Sequence, residues 1–172
     1  MGTGTNLQNV PQGIVREMVI ADPGTTFLSG DLSQAEARVV AYLAQEESLI
    51  KFFEAGVDIH RRNASKIFRI PEEAVTYEQR QLAKKIVHAS NYGMGPIKFA
   101  QEAGVLKAEA IQLLNAYFNA YPGLKRWHLE VAATLKNTRI LTTPLGRRRQ
   151  FFGRWGDDLL RVAYAFVPQS TV

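Results

Sequence analysis

Apolar residues recur every three or four positions through most of the chain, the spacing of helices that bury one face. Ser33 with Glu36 and Thr76 with Gln79 each form a capping box, a pattern that marks a helix start. Gly and Pro residues mark the breaks between helices. The pattern predicts helices beginning at Ser33, over about 46–55, from Asp58 to before Pro71, over 76–91, over 96–137 with breaks at Gly104 and Pro122, and over about 157–166.

Short apolar runs, typical of strands, occur near the two ends of the chain. The runs 18–20 and 27–28 flank an Asp-Pro-Gly turn sequence and predict a pair of turn-linked strands. Residues 139–152 surround a Pro-Leu-Gly turn and predict a β-hairpin. The predicted fold class is α+β, mainly helical, with a small antiparallel sheet. The opening loop over 1–15 has no obvious partner, so we expect a piece of something larger.

Composition narrows the class of protein. The chain has 172 residues with 46% hydrophobic and 22% charged, which favours a globular domain over disorder. The absence of Cys excludes disulfides, thiol catalysis and Cys-bound zinc. The net charge of +5 favours a polyanionic partner such as nucleic acid or nucleotide phosphate. No apolar run approaches a membrane span, and the first ten residues do not have the pattern of a signal peptide. We therefore expect an intracellular protein without a membrane partner.

The helix predicted over 76–91 carries the most informative side chains. Arg80, Lys84, His88 and Tyr92 recur every four residues and form one slanted stripe. Two cations, an imidazole and an aromatic ring in this order suit the phosphates and base of a nucleoside triphosphate. The alternative is an ordinary solvated basic face, with the apolar residues Leu82, Ala83, Ile86 and Val87 packed inward on the opposite side.

Asp31 lies where the second predicted strand ends, ahead of a capped helix. A carboxylate in this position is a candidate Mg²⁺ ligand, because Mg²⁺ usually takes one or two protein carboxylates together with waters and phosphate oxygens. The alternative is that Asp31 only helps to cap the helix. Glu36 closes the predicted capping box and is also a candidate for contact with a bound sugar.

Three weaker patterns have ordinary structural explanations as well. Asp58 and His60 lie at a helix start and predict a cap with a surface histidine beside it. Arg147 and Arg149 follow a Gly turn, and strand alternation would place both on one face, facing DNA phosphates or only solvent. The aspartate pair at 157–158 favours a helix start over a catalytic pair.

Together, these segments resemble a known family. Residues 31–38, Asp-Leu-Ser-Gln-Ala-Glu-Ala-Arg, resemble motif A of the family A DNA polymerases, the polymerase I group. Residues 80–84, running on to 91–93, resemble motif B on the fingers helix, and 6–11 resemble the template-primer loop. Shorter matches follow in the expected order at 58–60, 146–149 and 168–171, so the resemblance covers nearly the whole chain.

The resemblance implies a role for individual residues. Asp31 and the Leu32 carbonyl would bind metal, with two Mg²⁺ ions in the complete enzyme, and Asp31, Arg80 and Lys84 would form the catalytic set. The residues implied to bind dNTP are Ser33, Gln34, Glu36, His60, Arg80, Lys84, His88 and Tyr92. The residues implied to contact primer-template DNA are Asn6, Gln8, Asn9, Tyr92, Gly93, Arg147, Arg149, Arg161 and Gln169.

The resemblance also implies a division of the chain. Residues 1–32 would form a palm segment with the template-primer loop, 33–137 a palm helix and the fingers, and 138–172 a hairpin returning toward the palm. The family's second catalytic carboxylate lies in a His-Asp-Glu motif, which this sequence lacks. We therefore expect a fragment, inactive alone, whose partners are dNTP, primer-template DNA and the remainder of the polymerase or a complementary fragment.

Departures from the family pattern leave alternatives open. His88 occupies a position that usually carries Phe or Tyr, and Leu32 replaces a usual Tyr. Such departures favour a phage or viral member acting in the host cytoplasm. The main prediction is a template-directed DNA polymerase. A non-catalytic nucleic-acid-binding module of the same fold and an unrelated nucleotide-binding regulator are the alternatives.

Overall fold

The computed structural model describes residues 10, 13–28, 30 and 32–172. Within them, two compact units are separated at the boundary between Ser33 and Gln34. The described elements are α1 (Ile14–Glu17), α2 (Ala35–Leu43), α3 (Glu47–Glu54), α4 (Ile59–Phe68), a 3₁₀ turn (Glu72–Ala74), α5 (Tyr77–Asn91), α6 (Pro96–Ala103), α7 (Lys107–Ala120), α8 (Pro122–Thr138), β1 (Ile140–Thr142), β2 (Arg148–Gln150) and α9 (Asp157–Gln169). This mainly helical fold with a two-stranded antiparallel sheet confirms the predicted fold class.

The core of the second unit lies around α4, α5 and α7. Helix α4 packs against α5 and α7, and α5 also contacts α6. The largest fully buried side chains include Tyr117, Tyr121, Phe99, Ile86 and Leu124. Full burial of an apolar side chain of this size stabilises a fold by roughly 1.5–3 kcal/mol. The core therefore fixes the position of α5, and the polar stripe of α5 faces away from the core.

The two helix starts nearest to the predicted site are capped as predicted. The Gln79 N–H donates to Thr76 Oγ1 (3.2 Å) and the Thr76 N–H donates to Gln79 Oε1 (3.0 Å), which completes the capping box of α5. Asp58 caps α4 by accepting from the His60 and Arg61 backbone N–H groups. Helix α5 spans the predicted residues, so local capping chemistry determines its start.

The predicted start of α2 is wrong. The helix begins at Ala35, and its N-cap is Gln34, which has a left-handed backbone (φ 54°) and makes no side-chain capping bond. A capping box pairs the N-cap with the third helical residue. With Gln34 as N-cap that residue is Ala37, so Glu36 is one position too early to close the box.

The strands predicted over 18–20 and 27–28 are also wrong, since the described residues 13–28 contain the short helix α1 and no strand. The turn between the two runs does form, because the Thr25 N–H donates to the Asp22 carbonyl (2.9 Å). The large apolar side chains within the described residues 13–28 are exposed, and Leu28 is 95% exposed. An isolated two-stranded hairpin is at best marginally stable in water, and these exposed runs lack the packing that would stabilise one.

The hairpin and the last helix follow the predictions for 139–152 and 157–166. Strands β1 and β2 pair antiparallel, with Leu141 opposite Arg149. Leu141 is buried, whereas the arginines at 147–149 are exposed. Helix α9 runs three residues further than predicted, to Gln169. In the part of the chain that the structure describes, no helix combines the length and the apolar character needed to cross a membrane.

Candidate functional site

The predicted stripe lies on the outer face of α5. Ala83 and Ile86 are fully buried, and Val87 is buried beside them, as predicted for the inner face. On the other side Lys84 and His88 are exposed. The burial of the small and branched residues therefore turns the polar stripe toward solvent.

Arg80 is anchored by Asp58, the capping residue of α4. Arg80 Nε donates to Asp58 Oδ2 at 2.8 Å, and the two side chains are 30% and 41% exposed. Burial opposes ionisation of Asp58, but the hydrogen bonds from Arg80 and from the Arg61 and His60 backbone outweigh it and hold the pKa of this carboxyl below its ordinary value. Asp58 thus links the starts of α4 and α5. The sequence patterns predicted Asp58 as a cap and Arg80 as a cation, but not their pairing.

His60 lies in the first turn of α4, and the positive charges of the stripe affect its ionisation. Its pKa is lowered first by burial and then by the positive charges of Arg80 and Lys84, against the opposing effect of Asp58. The Nδ1 atom of His60 is buried and has no hydrogen-bond partner in the structure. We call His60, Arg80 and Lys84 the cationic cluster after its two permanent cations. Asp58 joins the start of α4 to Arg80, and the positive charges of Arg80 and Lys84 favour the neutral form of His60.

The far end of the stripe is aromatic. The rings of His88 and Tyr92 meet edge to face, with centroids 4.7 Å apart and planes at 74°. Tyr92 is half-buried and forms the C-cap of α5. Gly93 follows with a left-handed backbone (φ +64°). The predicted order of cation, imidazole and aromatic ring is therefore kept along the surface of α5.

A cavity of about 400 Å³ lies beside the stripe. Lys84 and His88 contribute to its wall from α5, and Phe99 and Glu102 contribute from α6; the remaining lining residues are Gln81, Lys85 and Met94. This volume is in the range of small-molecule sites. Two of the predicted dNTP contacts therefore line a space large enough for a ligand.

The candidate DNA contacts on the last segments are spread over the hairpin and α9. Arg147 precedes β2, and the Arg149 guanidinium lies over the ring of Phe151 (5.0 Å to the centroid). Arg161, on α9, forms an ion pair with Asp158. Gln169 is exposed at the end of α9. The structure does not gather these residues into the cationic cluster.

Several predicted residues lie outside the described residues or in the first unit. Asp31, Asn6, Gln8 and Asn9 are outside them. Leu32 and Ser33 are exposed in the first unit, Gln34 is exposed at the start of α2, and Glu36 is half-buried in its first turn. Among the residues that are described, no group of three or more His, Asp or Glu side chains could hold a metal ion.

A second cluster, which sequence patterns did not indicate, lies at the C-terminal end of α5. His128 is buried (9% exposed) and its Nε2 lies 3.2 Å from the Asn91 carbonyl oxygen. Its ring stacks on Tyr164 from α9. A single histidine within a long amphipathic helix has no spacing signal, so only the packing of α8 against α9 reveals it.

Comparisons with known proteins find related sequences and a related structure. The family model described as DNA polymerase family A matches residues 2–155. The chain is 38% identical over 149 residues to DNA polymerase I of Borreliella burgdorferi, and 35% identical over 149 residues to the thermostable DNA polymerase I of Thermus aquaticus. Each match covers 84% of this chain, and 16% and 18% of those relatives. The chain thus spans about a sixth of their length.

A solved structure has the same fold. The POL domain of Pol1 from M. smegmatis, in complex with DNA primer-template and dNTP, superimposes with a TM-score of 0.82 and 26% sequence identity. The match covers 97% of this chain and 32% of that one. The family resemblance expected from the motifs is confirmed over most of the sequence. The chain belongs to DNA polymerase family A.

Proposed function

We propose that this chain provides the nucleotide-binding part of a template-directed DNA polymerase, which transfers a nucleotide from dNTP to a primer 3′-hydroxyl. The observation that carries the proposal is the Asp58–Arg80 ion pair, which joins α4 to α5 within the cationic cluster. The charges of Arg80 and Lys84 also lower the pKa of His60. The membership in DNA polymerase family A supports it.

The cationic cluster suits a triphosphate because its members differ in chemistry. The guanidinium of Arg80 has five N–H donors in a rigid fork, and Asp58 engages it through Nε, so the pair orients the whole group. Lys84 is exposed and adds a compact charge one helical turn away. His60 adds a neutral ring that can donate one hydrogen bond to a phosphate oxygen.

The proposed reaction follows from phosphoryl-transfer chemistry. The primer 3′-hydroxyl gives up its proton to water as its oxygen attacks the α-phosphorus in line. The bond from that phosphorus to the bridging oxygen breaks, and pyrophosphate leaves. Arg80 and Lys84 stabilise the negative charge that collects on the departing phosphates. We propose that Tyr92 and His88 contact the base and sugar, with Ser33, Gln34 and Glu36 contributing to sugar contact.

The metal ligands and the DNA contacts are part of the same proposal. The carboxylate of Asp31 and the carbonyl of Leu32 are the hard oxygen donors that Mg²⁺ prefers. Bound Mg²⁺ would supply stabilisation of the attacking and leaving oxygens. We propose that the following residues contact primer-template DNA: Asn6, Gln8, Asn9, Tyr92, Gly93, Arg147, Arg149, Arg161 and Gln169. We also propose that residues 1–32 form a palm segment, 33–137 a palm helix and the fingers, and 138–172 a hairpin that returns toward the palm. We further propose that the chain is of phage or viral origin and acts in the host cytoplasm.

Binding of dNTP to the complex with primer-template DNA tests this function. We expect the chain to hold the dNTP complementary to the template base more tightly than the other three. Arg80→Ala and Lys84→Ala should each weaken dNTP binding at least tenfold while DNA affinity changes little, because each removes a charged partner of the triphosphate. Lys125→Ala removes one exposed charge from α8 and serves as the control.

Two results would contradict the proposal. Equal losses of dNTP and DNA binding in the Arg80 and Lys84 variants would indicate a general basic face, as in a non-catalytic nucleic-acid-binding module. Binding of dNTP that is indifferent to the template base would indicate a nucleotide-binding regulator. Fluorescence titration with labelled primer-template at fixed salt measures both affinities, since DNA affinity depends steeply on salt.

A further inference from the structure

The C-terminal end of α5 is held by side chains of α8 and α9 to which the proposed function gives no role. Backbone carbonyls in the last turn of a helix have no partner within the helix. The Asn91 carbonyl is in that turn, 3.2 Å from His128 Nε2. Since a carbonyl oxygen can only accept, the His128 Nε2–H donates to it. One helix end is thus completed by a side chain 37 residues away in sequence.

Tyr164 adds a second contact to the same segment. The His128 and Tyr164 rings stack, with centroids 4.0 Å apart and planes at 18°. The Tyr164 ring also lies against Gly93, where an added Cβ would be 2.5 Å from Tyr164 Cδ2. The contacts on residues 91 and 93 therefore lie on either side of Tyr92, the aromatic end of the stripe.

The surroundings of His128 keep its ring in one state and one place. The rings of Phe118 and Trp127 lie at 5.8 Å and 5.2 Å from it, centroid to centroid. Burial lowers the pKa of His128 to about 4, so the ring is neutral at neutral pH. A neutral imidazole has one N–H, and the Asn91 carbonyl fixes it on Nε2.

We propose that His128 is a positioning residue, which fixes the end of α5 through Asn91 and Tyr164 and thereby places Tyr92 for selection of the correct nucleotide. The inference rests on the proposed function. It predicts that loss of the Nε2–H contact reduces discrimination between matched and mismatched dNTP, even though His128 touches neither.

Three variants test the role in selection. His128→Phe keeps a flat ring but removes the donor, and His128→Gln keeps an N–H donor. Val131→Ala, at another buried position on α8, is the control for a general loss of stability. We expect His128→Phe to weaken the binding of matched dNTP about tenfold and to reduce the ratio of the affinities for matched and mismatched dNTP. His128→Gln should recover part of both, and Val131→Ala should leave the ratio unchanged.

Amide hydrogen exchange gives a readout that needs no nucleotide. The Gly93 and Met94 N–H groups donate to the Ser90 and Ala89 carbonyls at the end of α5. We expect His128→Phe to speed their exchange about tenfold relative to Val131→Ala. Should His128→Phe not fold, His128→Gln against Val131→Ala gives the same comparison, with a smaller increase expected.

The outcomes separate the two proposals. Equal exchange rates and equal discrimination in His128→Phe and Val131→Ala overturn the inference while the proposed function stands. Failure of the unsubstituted chain to bind dNTP overturns the proposed function and the role in selection together. In that case the exchange rates still decide whether His128 holds the end of α5.

Discussion

The carboxylate of Asp58 joins two helix starts: its Oδ2 lies 2.8 Å from Arg80 Nε, while its Oδ1 accepts from the His60 and Arg61 backbone N–H groups. One side chain thus caps α4 and orients the first cation of α5. The two interactions differ in strength, since an N-cap contributes about 1 kcal/mol and a partly exposed ion pair contributes about 0–1 kcal/mol.

Substitution of Asp58 separates these two interactions. Asp58→Asn keeps a side-chain oxygen for capping and loses the ion pair, whereas Asp58→Ala loses both. We expect the free energy of unfolding to fall by about 1 kcal/mol more in Asp58→Ala than in Asp58→Asn. Urea unfolding measures the difference. Equal losses in the two variants would show that Asp58 does not act as a cap.

The ionisation of His60 reports on the cationic cluster. Positive neighbours disfavour the imidazolium, so their removal raises the pKa of His60 toward its ordinary value. We expect Arg80→Gln to raise the pKa more than Lys84→Gln does, in line with their relative influence, and Lys125→Ala to leave it unchanged. NMR titration of the His60 ring measures each value. A Lys84→Gln shift no larger than that of Lys125→Ala would place Lys84 away from His60.

Bound nucleotide should raise the pKa of His60, whereas Arg80 and Lys84 lower it. The phosphates carry negative charge, which favours the imidazolium. We expect the pKa of His60 to rise when dNTP binds, and to rise less when the free nucleoside is added at the same concentration. The same NMR titration, repeated with each compound, checks this. A pKa that is identical with and without dNTP would place the phosphates away from His60.

Local sequence signals determined much of the fold. The box formed by Thr76 and Gln79 determines the start of α5, and Gly104, in a left-handed backbone, ends α6. Each of these signals acts within a few residues, so each can be identified without knowledge of the packing. The start of α2 and the runs at 18–20 and 27–28 could not be predicted in this way, because backbone geometry and strand pairing decide them.

The same distinction applies to the candidate site. Arg80, Lys84 and His88 share one helix, and helical spacing alone places them on one face. Asp58 and Arg80 are 22 residues apart, and their pairing depends on how α4 packs against α5. The metal assignment of Asp31 stays a prediction, because that residue lies outside the described residues.

The close approach of Gly93 to the Tyr164 ring leads to a prediction about the stability of the fold. Gly93→Ala places a methyl group into the Tyr164 ring and strains a left-handed backbone. Gly104 has a similar φ (+72°) but nothing within 4 Å of its added Cβ, so Gly104→Ala carries the strain alone. We expect Gly93→Ala to cost about 1–3 kcal/mol more than Gly104→Ala. Urea unfolding of both variants measures the difference.

A double substitution identifies the cause of that difference. Tyr164→Leu removes the ring, so Gly93→Ala should cost less in its presence than in the unsubstituted chain. Additive losses would mean that the backbone of Gly93, and not its contact with Tyr164, accounts for the effect.

The buried ring of His128 should make the stability of the fold depend on pH. Its pKa is about 4 in the folded chain against about 6.5 when unfolded, so the unfolded state binds the proton more readily. The stabilisation that depends on neutral His128 is fully present above pH 6.5, and it is lost as the pH falls through 4. A difference of this size corresponds to about 3 kcal/mol. His128→Phe has no such proton, so its unfolding free energy should fall less steeply between pH 6.5 and 4.

Comparison with Val131→Ala isolates the contribution of His128 from other groups that titrate in the same range. His60 and Asp58 are present in both variants, and their contributions cancel in the comparison. We expect the curve of Val131→Ala to run parallel to that of the unsubstituted chain, because only its offset changes. A curve for His128→Phe that is parallel to both would mean that the imidazole of His128 is not buried as a neutral ring in the folded state.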